Sequence, residues 1–165
     1  MSHAVARRPP VTLDRNAYAF STEIRVRLSE TDAVGIVFFG SFSAYLDVGR
    51  MDYLHHLGLD APEFRTGHTQ AALAFLPPGA VAHVAIDFKA PARYNDTLVV
   101  HVRVAELGET SYTFEHLLVD KRQPRVIATG RLTLVWLDEA FAPIALPAAF
   151  RQTIVQFEGD RLRAR

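Results

Sequence analysis

Cysteine is absent from this chain of 165 residues. Its absence excludes a disulfide framework, a thiolate zinc or iron–sulfur site and a cysteine nucleophile. An excess of one charge sign is also missing, because 18 Lys and Arg residues balance 18 Asp and Glu residues. A chain without a basic field does not attract nucleic acid or an anionic membrane. We therefore expect neither as a partner, and a cytoplasmic location fits best.

Long apolar runs and cofactor motifs are missing as well. The longest apolar run extends from Ala71 to Leu76, whereas a membrane-spanning helix needs about 18 or more such residues. The two arginines near the N-terminus have no apolar stretch behind them, so no secretory signal is predicted. Glycine-rich nucleotide motifs, the serine-hydrolase elbow and the zincin motif do not occur. We expect no metal site, and a single domain over residues 21–165 behind a flexible arm over residues 1–20.

The first half of the chain predicts a strand followed by one long helix. Apolar and polar residues alternate over residues 23–28, which is typical of a half-buried strand. The spacing then becomes that of an amphipathic helix that ends before Gly58. Its apolar positions are Phe42, Tyr45, Leu46, Gly49, Tyr53 and Leu57. Gly49 costs the helix about 0.5–1 kcal/mol relative to Ala, so either another element packs very close to the backbone there or the helix tolerates a weak position.

The second half consists of alternating segments joined by short turns. Long strands are predicted over residues 81–89, 98–104, 111–119 and 126–137, a shorter one over residues 68–75, and a terminal helix over residues 147–157. Consecutive strands joined by short turns make an antiparallel sheet. The helix has one apolar stripe and the sheet one apolar face, and both are buried if the sheet curls around the helix.

The histidines do not predict a metal site or a catalytic pair. His55 and His56 are adjacent on a helix and point about 100° apart. His83 and Asp87 share one strand face, but four residues of strand separate them by about 13 Å, which favours solvated positions. His116 lies on an apolar strand face and is predicted to be a hydrogen-bonded core residue.

Asp32 is the strongest candidate for chemistry. It lies between the predicted strand and the long helix, and Gly35 and an apolar stretch follow it. A carboxylate beside the unpaired amides of a helix N-terminus stays ionised, and the same amides can polarise a ligand carbonyl. Asp is also common as a helix cap or turn residue, and spacing alone favours that interpretation.

The segment from Thr31 to Phe39 resembles the signature of the 4-hydroxybenzoyl-CoA thioesterase family of hotdog-fold proteins. The resemblance continues through residues 86–96 and 107–112 and covers roughly residues 20–147. It implies an α+β hotdog fold, in which a five- or six-stranded antiparallel sheet wraps a long central helix. It also implies a homodimer or homotetramer with active sites at the subunit interface.

The resemblance assigns the catalytic carboxylate to Asp32. This residue would attack the thioester carbonyl or activate a water molecule, while the backbone N–H of Phe39 holds the carbonyl oxygen. The substrate-binding residues it implies around these groups are Gly35, Val37, Phe38 and Phe42. Many relatives carry His or Tyr near positions 38 and 39, and an Asn-Tyr pair where this chain has Ser41-Phe42. These departures make the pocket more apolar and favour an uncharged aromatic or aliphatic acyl group.

Coenzyme A carries phosphates, so cations are expected near the pocket. The candidates are Lys89 and Arg93, with Arg131 weaker, and each could equally be an ordinary surface charge. Arg50 lies three residues from Asp47, which predicts an ion pair within the helix.

The leading hypothesis is therefore an acyl-CoA thioesterase that needs no cofactor, because coenzyme A is part of its substrate. The alternatives are a non-catalytic hotdog protein that binds an acyl thioester, as a sensor or accessory subunit, and a thioesterase acting on acyl-carrier-protein thioesters. A hotdog dehydratase ranks last, because it needs a catalytic His at the helix start and residues 29–42 contain none.

Overall fold

The computed structural model describes residues 9–59, 79–138 and 140–163. The strands in these residues are β1 (Phe20–Arg25), β2 (Ala80–Phe88), β3 (Thr97–Leu107), β4 (Ser111–Asp120) and β5 (Val126–Val135), and the α-helices are α1 (Ser41–His56) and α2 (Ala148–Glu158). Short 3₁₀ turns lie at Arg15–Ala17, Leu28–Glu30 and Gly159–Arg161. The strand predicted over residues 68–75 lies outside the described residues.

The strands form one antiparallel sheet in the order β1-β3-β4-β5-β2. Strands β3, β4 and β5 are neighbours in sequence and in space, as expected for strands joined by short turns. Strand β2 instead lies beside β5 at the far edge, with Phe88 opposite Ala128. The predicted antiparallel sheet is confirmed, and the position of β2 brings the end of that strand close to the start of α1.

Helix α1 packs across β1, β3 and β4. A Cβ atom on Gly49 would lie 2.9 Å from Val100 Cγ1 and 3.0 Å from Val102 Cγ2, so the close approach expected at this glycine is confirmed. The helix ends before Gly58, whose φ of +67° lies in the left-handed region that favours glycine. A long helix on an antiparallel sheet of five strands is the α+β hotdog architecture that the resemblance implies.

The face of the sheet opposite α1 is closed by the chain's own terminal segments. At its centre Glu115 is fully buried and accepts hydrogen bonds from Arg103 at 2.7 Å, Arg131 at 2.6 Å and Arg163 at 2.5 Å. Tyr18 is buried on the same face, with its ring centroid 5.5 Å from the guanidinium carbon of Arg103. Strand β4 is therefore covered on both faces.

The predicted N-terminal arm falls into two parts. Residues 1–8 lie outside the described residues. Pro9 already contacts the sheet, because its carbonyl oxygen accepts a hydrogen bond from Arg131 at 2.6 Å. Packing into the core begins at Tyr18, ahead of the boundary predicted at residue 20. The flexibility of the arm and the division into arm and domain stay predictions.

Strand β2 is largely exposed, although its sequence alternates like a half-buried strand. Val81, Val84 and Phe88 are each about half exposed, at 53%, 48% and 52%. The strand lies at the edge of the sheet, and α1 packs on the opposite half. Neither of the described α-helices has the length and apolar character needed to cross a membrane.

Candidate active site

Asp32 lies in a tight loop between the Leu28–Glu30 turn and α1. Its backbone N–H donates to the carbonyl oxygen of Ile36 at 2.9 Å, and Gly35 N–H donates back to the Asp32 carbonyl at 3.0 Å. Gly35 has a φ of +79°, which other residues rarely adopt. The side-chain Oδ1 accepts a hydrogen bond from Val34 N–H at 2.9 Å. Within the described part of the chain Oδ2 has no partner, so the carboxylate supports the turn and keeps one oxygen available.

The backbone just before α1 offers two unpaired donors. Phe38 N–H donates to the Glu30 carbonyl at 2.9 Å, and Ser41 N–H donates to the Phe38 carbonyl at 2.9 Å. Between them, the N–H groups of Phe39 and Gly40 have no acceptor among the described residues. Such groups at a helix N-terminus carry the positive end of the helix dipole. They are suited to hold a carbonyl oxygen that gains negative charge.

Asp32 and Phe39 line one cavity of about 550 Å³. Its lining residues are Asp32, Ile36, Val37, Phe39, Phe42, Phe88, Lys89, Ala90, Pro91 and Ala92. The volume is in the range of small-molecule sites. Asp32 and Lys89 are the polar side chains of this lining, and the other walls are apolar or aromatic. The cavity can therefore take an apolar group with its reacting end towards Asp32.

The structure brings together five of the predicted site residues and leaves three apart. The five that line the cavity are Asp32, Val37, Phe39, Phe42 and Lys89. Gly35 shapes the loop, Phe38 packs on Phe39 with ring centroids 4.4 Å apart, and the side chain of Arg93 is exposed in the turn after the cavity wall. Phe88 was missed by the sequence analysis, although it directly precedes Lys89 on the apolar side of the strand pattern.

The other predicted cations are engaged elsewhere. Arg131 is buried against Glu115 on the far face of the sheet, so it does not reach the cavity. The ion pair predicted between Arg50 and Asp47 is confirmed at 2.5 Å. His83 and Asp87 are exposed, as predicted. Within the residues the structure describes, no three His, Asp or Glu side chains are grouped closely enough to hold a metal ion.

A second cavity, of about 570 Å³, is lined by residues of β1, the turn after it and α1, among them Glu30 and Tyr45. Its central carboxylate is already occupied, because Glu30 Oε2 accepts from the Tyr45 hydroxyl at 2.7 Å and from Arg27 N–H at 2.8 Å. Arg27 also pairs with Glu30 Oε1 at 3.1 Å. This arrangement stabilises the loop and leaves Glu30 no free oxygen for catalysis.

Comparisons with known proteins agree with this fold. A family model of the thioesterase superfamily matches residues 34–127. The acyl-acyl carrier protein thioesterase ATL3 of Arabidopsis thaliana is 26% identical over 82% of this chain and 67% of that protein. The acyl-CoA thioesterase YbgC of Haemophilus influenzae is 29% identical over 78% of this chain and 88% of that protein.

A solved structure is also similar. A thioesterase from Thermus thermophilus, complexed with coenzyme A and Zn, is 26% identical and superposes with a TM-score of 0.70 over 87% of this chain and 97% of that chain. The fold is thus that of a hotdog protein. The chain belongs to the thioesterase superfamily, and it is a thioester hydrolase.

Proposed function

We propose that this protein hydrolyses acyl-CoA thioesters to a free acid and coenzyme A, with Asp32 as the catalytic carboxylate. The observation that carries this proposal is that Asp32 and Phe39 line the same apolar cavity, and that the N–H of Phe39 has no acceptor among the described residues. The family match begins at residue 34, so the role of Asp32 is supported by this geometry and by the resemblance of its segment.

The reaction has two routes that use the same groups. In one, the Asp32 carboxylate attacks the carbonyl carbon, the coenzyme A thiolate leaves, and water cleaves the resulting anhydride. In the other, Asp32 takes a proton from a water molecule that attacks the carbonyl carbon, and the thiolate leaves and is protonated. In both, the negative charge on the carbonyl oxygen is held by the Phe39 N–H. Neither route requires a cofactor.

The thiol that carries the acyl group has two candidates, coenzyme A and an acyl-carrier protein. The Haemophilus relative and the coenzyme A complex of the Thermus structure support coenzyme A, and the Arabidopsis relative supports an acyl-carrier protein. Lys89 lies on the cavity lining, where a cation can meet a phosphate of either carrier. We favour coenzyme A, and an assay of both thioesters decides between them. The cytoplasmic location stays a prediction.

Replacing Asp32 by Asn tests the catalytic role. We expect free-thiol release from the preferred acyl-CoA to fall at least about 100-fold, which corresponds to about 2.7 kcal/mol of transition-state stabilisation. The control is Asp160→Asn, which makes the same change at an exposed position and should keep wild-type activity. A folded Asp32→Asn protein that retains wild-type kcat/KM would refute the role of Asp32. If wild type binds acyl-CoA but releases no thiol, carrier-protein thioesters become the substrates to test.

A further inference from the structure

Phe88 has no role in the reaction proposed above, yet it lines the cavity. It is the last residue of β2, opposite the small buried residue Ala128. The chain just after it is fixed, because the N–H groups of Lys89 and Ala90 both donate to the Ile127 carbonyl, at 2.8 and 3.1 Å. The ring is therefore attached to a defined strand end, with 52% of the residue exposed.

Phe88 and Phe42 form an aromatic corner in this cavity. Their ring centroids are 5.1 Å apart and their planes meet at 70°. Phe42 is buried and also packs against Tyr45, whose ring centroid is 5.6 Å away. A third flat ring placed in such a corner can stack on one ring and direct its edge at the other, which are the two favoured aromatic geometries. A saturated ring of the same size would bury a similar apolar area but would not form these aromatic contacts.

Among the described residues, the rest of the lining provides no polar side chain that could pair with a polar substituent on such a ring. Asp32 faces the reacting carbonyl in the proposed reaction, and Lys89 is exposed. The other side chains are Ile36, Val37, Phe39, Ala90, Pro91 and Ala92. A hydroxyl or carboxylate on the acyl group would lose water there without gaining a hydrogen bond from any of these side chains.

From the corner and the apolar lining we infer that Phe88 is a specificity-determining residue that selects an aryl acyl group without polar substituents. This inference rests on the proposed function, because it names the acyl group that Asp32 would release. It concerns the binding of the acyl group and leaves the chemistry at the carbonyl unchanged.

The test compares three thioesters of similar size, namely phenylacetyl-CoA, cyclohexylacetyl-CoA and 4-hydroxyphenylacetyl-CoA. In none of them is the ring conjugated with the thioester carbonyl, so differences in rate report binding of the ring. For wild type we expect kcat/KM for phenylacetyl-CoA to exceed that for each of the other two by about tenfold, which is about 1.4 kcal/mol.

Variants at position 88 distinguish an aromatic contact with the substrate ring from the burial of apolar surface alone. Phe88→Leu keeps an apolar side chain, and we expect the phenyl-to-cyclohexyl ratio to fall close to one. Phe88→Tyr keeps the ring and should keep the ratio. Phe141→Leu makes the same change at an exposed residue outside the cavity, and it should behave as wild type. Thermal unfolding and gel filtration of each variant verify that the fold and assembly are retained.

The possible outcomes distinguish a failure of this inference from a failure of the proposed function. If wild type cleaves phenylacetyl- and cyclohexylacetyl-CoA equally well, or if the preference survives in folded Phe88→Leu, the inference is overturned and the proposed function stands. A preference for the hydroxylated ring overturns it as well. If wild type cleaves no acyl-CoA of any kind, the proposed function fails, and the inference fails with it.

Discussion

His116 points from β4 into the contact between the sheet and α1, where it is fully buried. A Cβ atom on Gly49 would lie 3.4 Å from its Cδ2 atom. The predicted core position is confirmed, but the predicted hydrogen bond is not, because neither ring nitrogen has a partner among the described residues. Burial lowers the pKa of His116 to about 3, and the nearby Leu46 backbone offsets only part of this effect. The folded protein therefore keeps this ring neutral.

Replacing His116 by Leu should change how stability depends on pH. In the unfolded chain a histidine takes up a proton below its ordinary pKa of 6.5, whereas the folded protein does not do so until about pH 3. The free energy of unfolding of wild type therefore falls as pH drops from 6.5 towards 3, by up to about 1.4 kcal/mol per pH unit from this residue. His116→Leu lacks this loss, so its stability relative to wild type should rise as pH falls.

Urea unfolding at pH 7, 6, 5 and 4 measures this difference. The control is His83→Gln, which removes a histidine at an exposed position and should leave the pH dependence nearly unchanged. Parallel stability curves for wild type and His116→Leu would show that burial does not depress the pKa of this ring.

At the scale of elements, local periodicity predicted the helices and strands well. The helix expected from Phe42 to Leu57 is α1 (Ser41–His56), and the terminal helix expected over residues 147–157 is α2 (Ala148–Glu158). Both follow from apolar spacing and from glycine at their ends, which are properties of neighbouring residues. The prediction is good here because no distant contact is needed to define these elements.

Distant contacts explain what the sequence did not predict. The loop from Asp32 to Phe42 supplies one wall of the cavity, and it lies in a single segment whose chemistry could be interpreted directly. The opposite wall, Phe88 to Ala92, joins it only because β2 pairs with β5. Alternation shows which residues share a strand face, but it does not show which strand is the neighbour or what covers that face. Phe88 and the exposure of β2 were missed for this reason.

Glu158 joins α2 to both α1 and β3. It is fully buried at the end of α2, and it accepts hydrogen bonds from the Tyr53 hydroxyl at 2.6 Å and from Val104 N–H at 3.0 Å. Glu158→Ala leaves both donors without this acceptor, so we expect unfolding to become easier by about 1–3 kcal/mol for each donor. Asp160→Ala, an exposed change two residues further on, should cost less than about 0.5 kcal/mol.

Chemical denaturation of Glu158→Ala and Asp160→Ala tests whether Glu158 holds α2 against α1 and β3. The effect of Glu158→Ala should shrink when Tyr53→Phe is already present, because the hydroxyl is then no longer left unpaired. A cost for Glu158→Ala as small as that of Asp160→Ala would mean that the buried carboxylate does not hold α2 in place.

At the scale of the whole molecule, the two faces of the sheet are closed differently. Helix α1 covers the inner face of β1, β3 and β4, and the terminal segments cover the outer face around Glu115. Burial would raise the pKa of Glu115, but hydrogen bonds from Arg163, Arg131 and Arg103 lower it below its ordinary value. The outer face is thus held by an ionised carboxylate, whereas strand β2 keeps three large apolar side chains about half exposed, namely Val81, Val84 and Phe88.

An exposed apolar edge strand is a template for pairing with another chain. Val81, Val84 and Phe88 present such a strand here. We propose that a second copy pairs in a two-fold arrangement along the edge of β2 that has no neighbouring strand among the described residues. This pairing makes the protein at least a homodimer. Since Phe88 ends the same strand, the cavity beside Asp32 would lie next to this interface.

Val84→Lys tests this assembly, because a charged side chain on an edge strand opposes pairing. We expect light scattering to show wild type with the mass of at least two chains and Val84→Lys with the mass of one. We also expect kcat/KM to fall by about tenfold or more, since the strand that carries Phe88 loses the support of the second copy. Val155→Lys is the matched control, because Val155 is similarly exposed on α2 and should leave both mass and activity unchanged.

The mass and the kcat/KM of these proteins together show what the edge of β2 contributes to assembly and activity. If wild type has the mass of a single chain at assay concentration, no second copy covers β2 and the proposed pairing is wrong. If Val84→Lys is a monomer that keeps wild-type kcat/KM, the second copy only shields the apolar edge, and Asp32, Phe39 and Phe88 of one chain form a complete site. Loss of mass and activity together would mean that the pairing of β2 holds the Phe88 wall in position against Asp32.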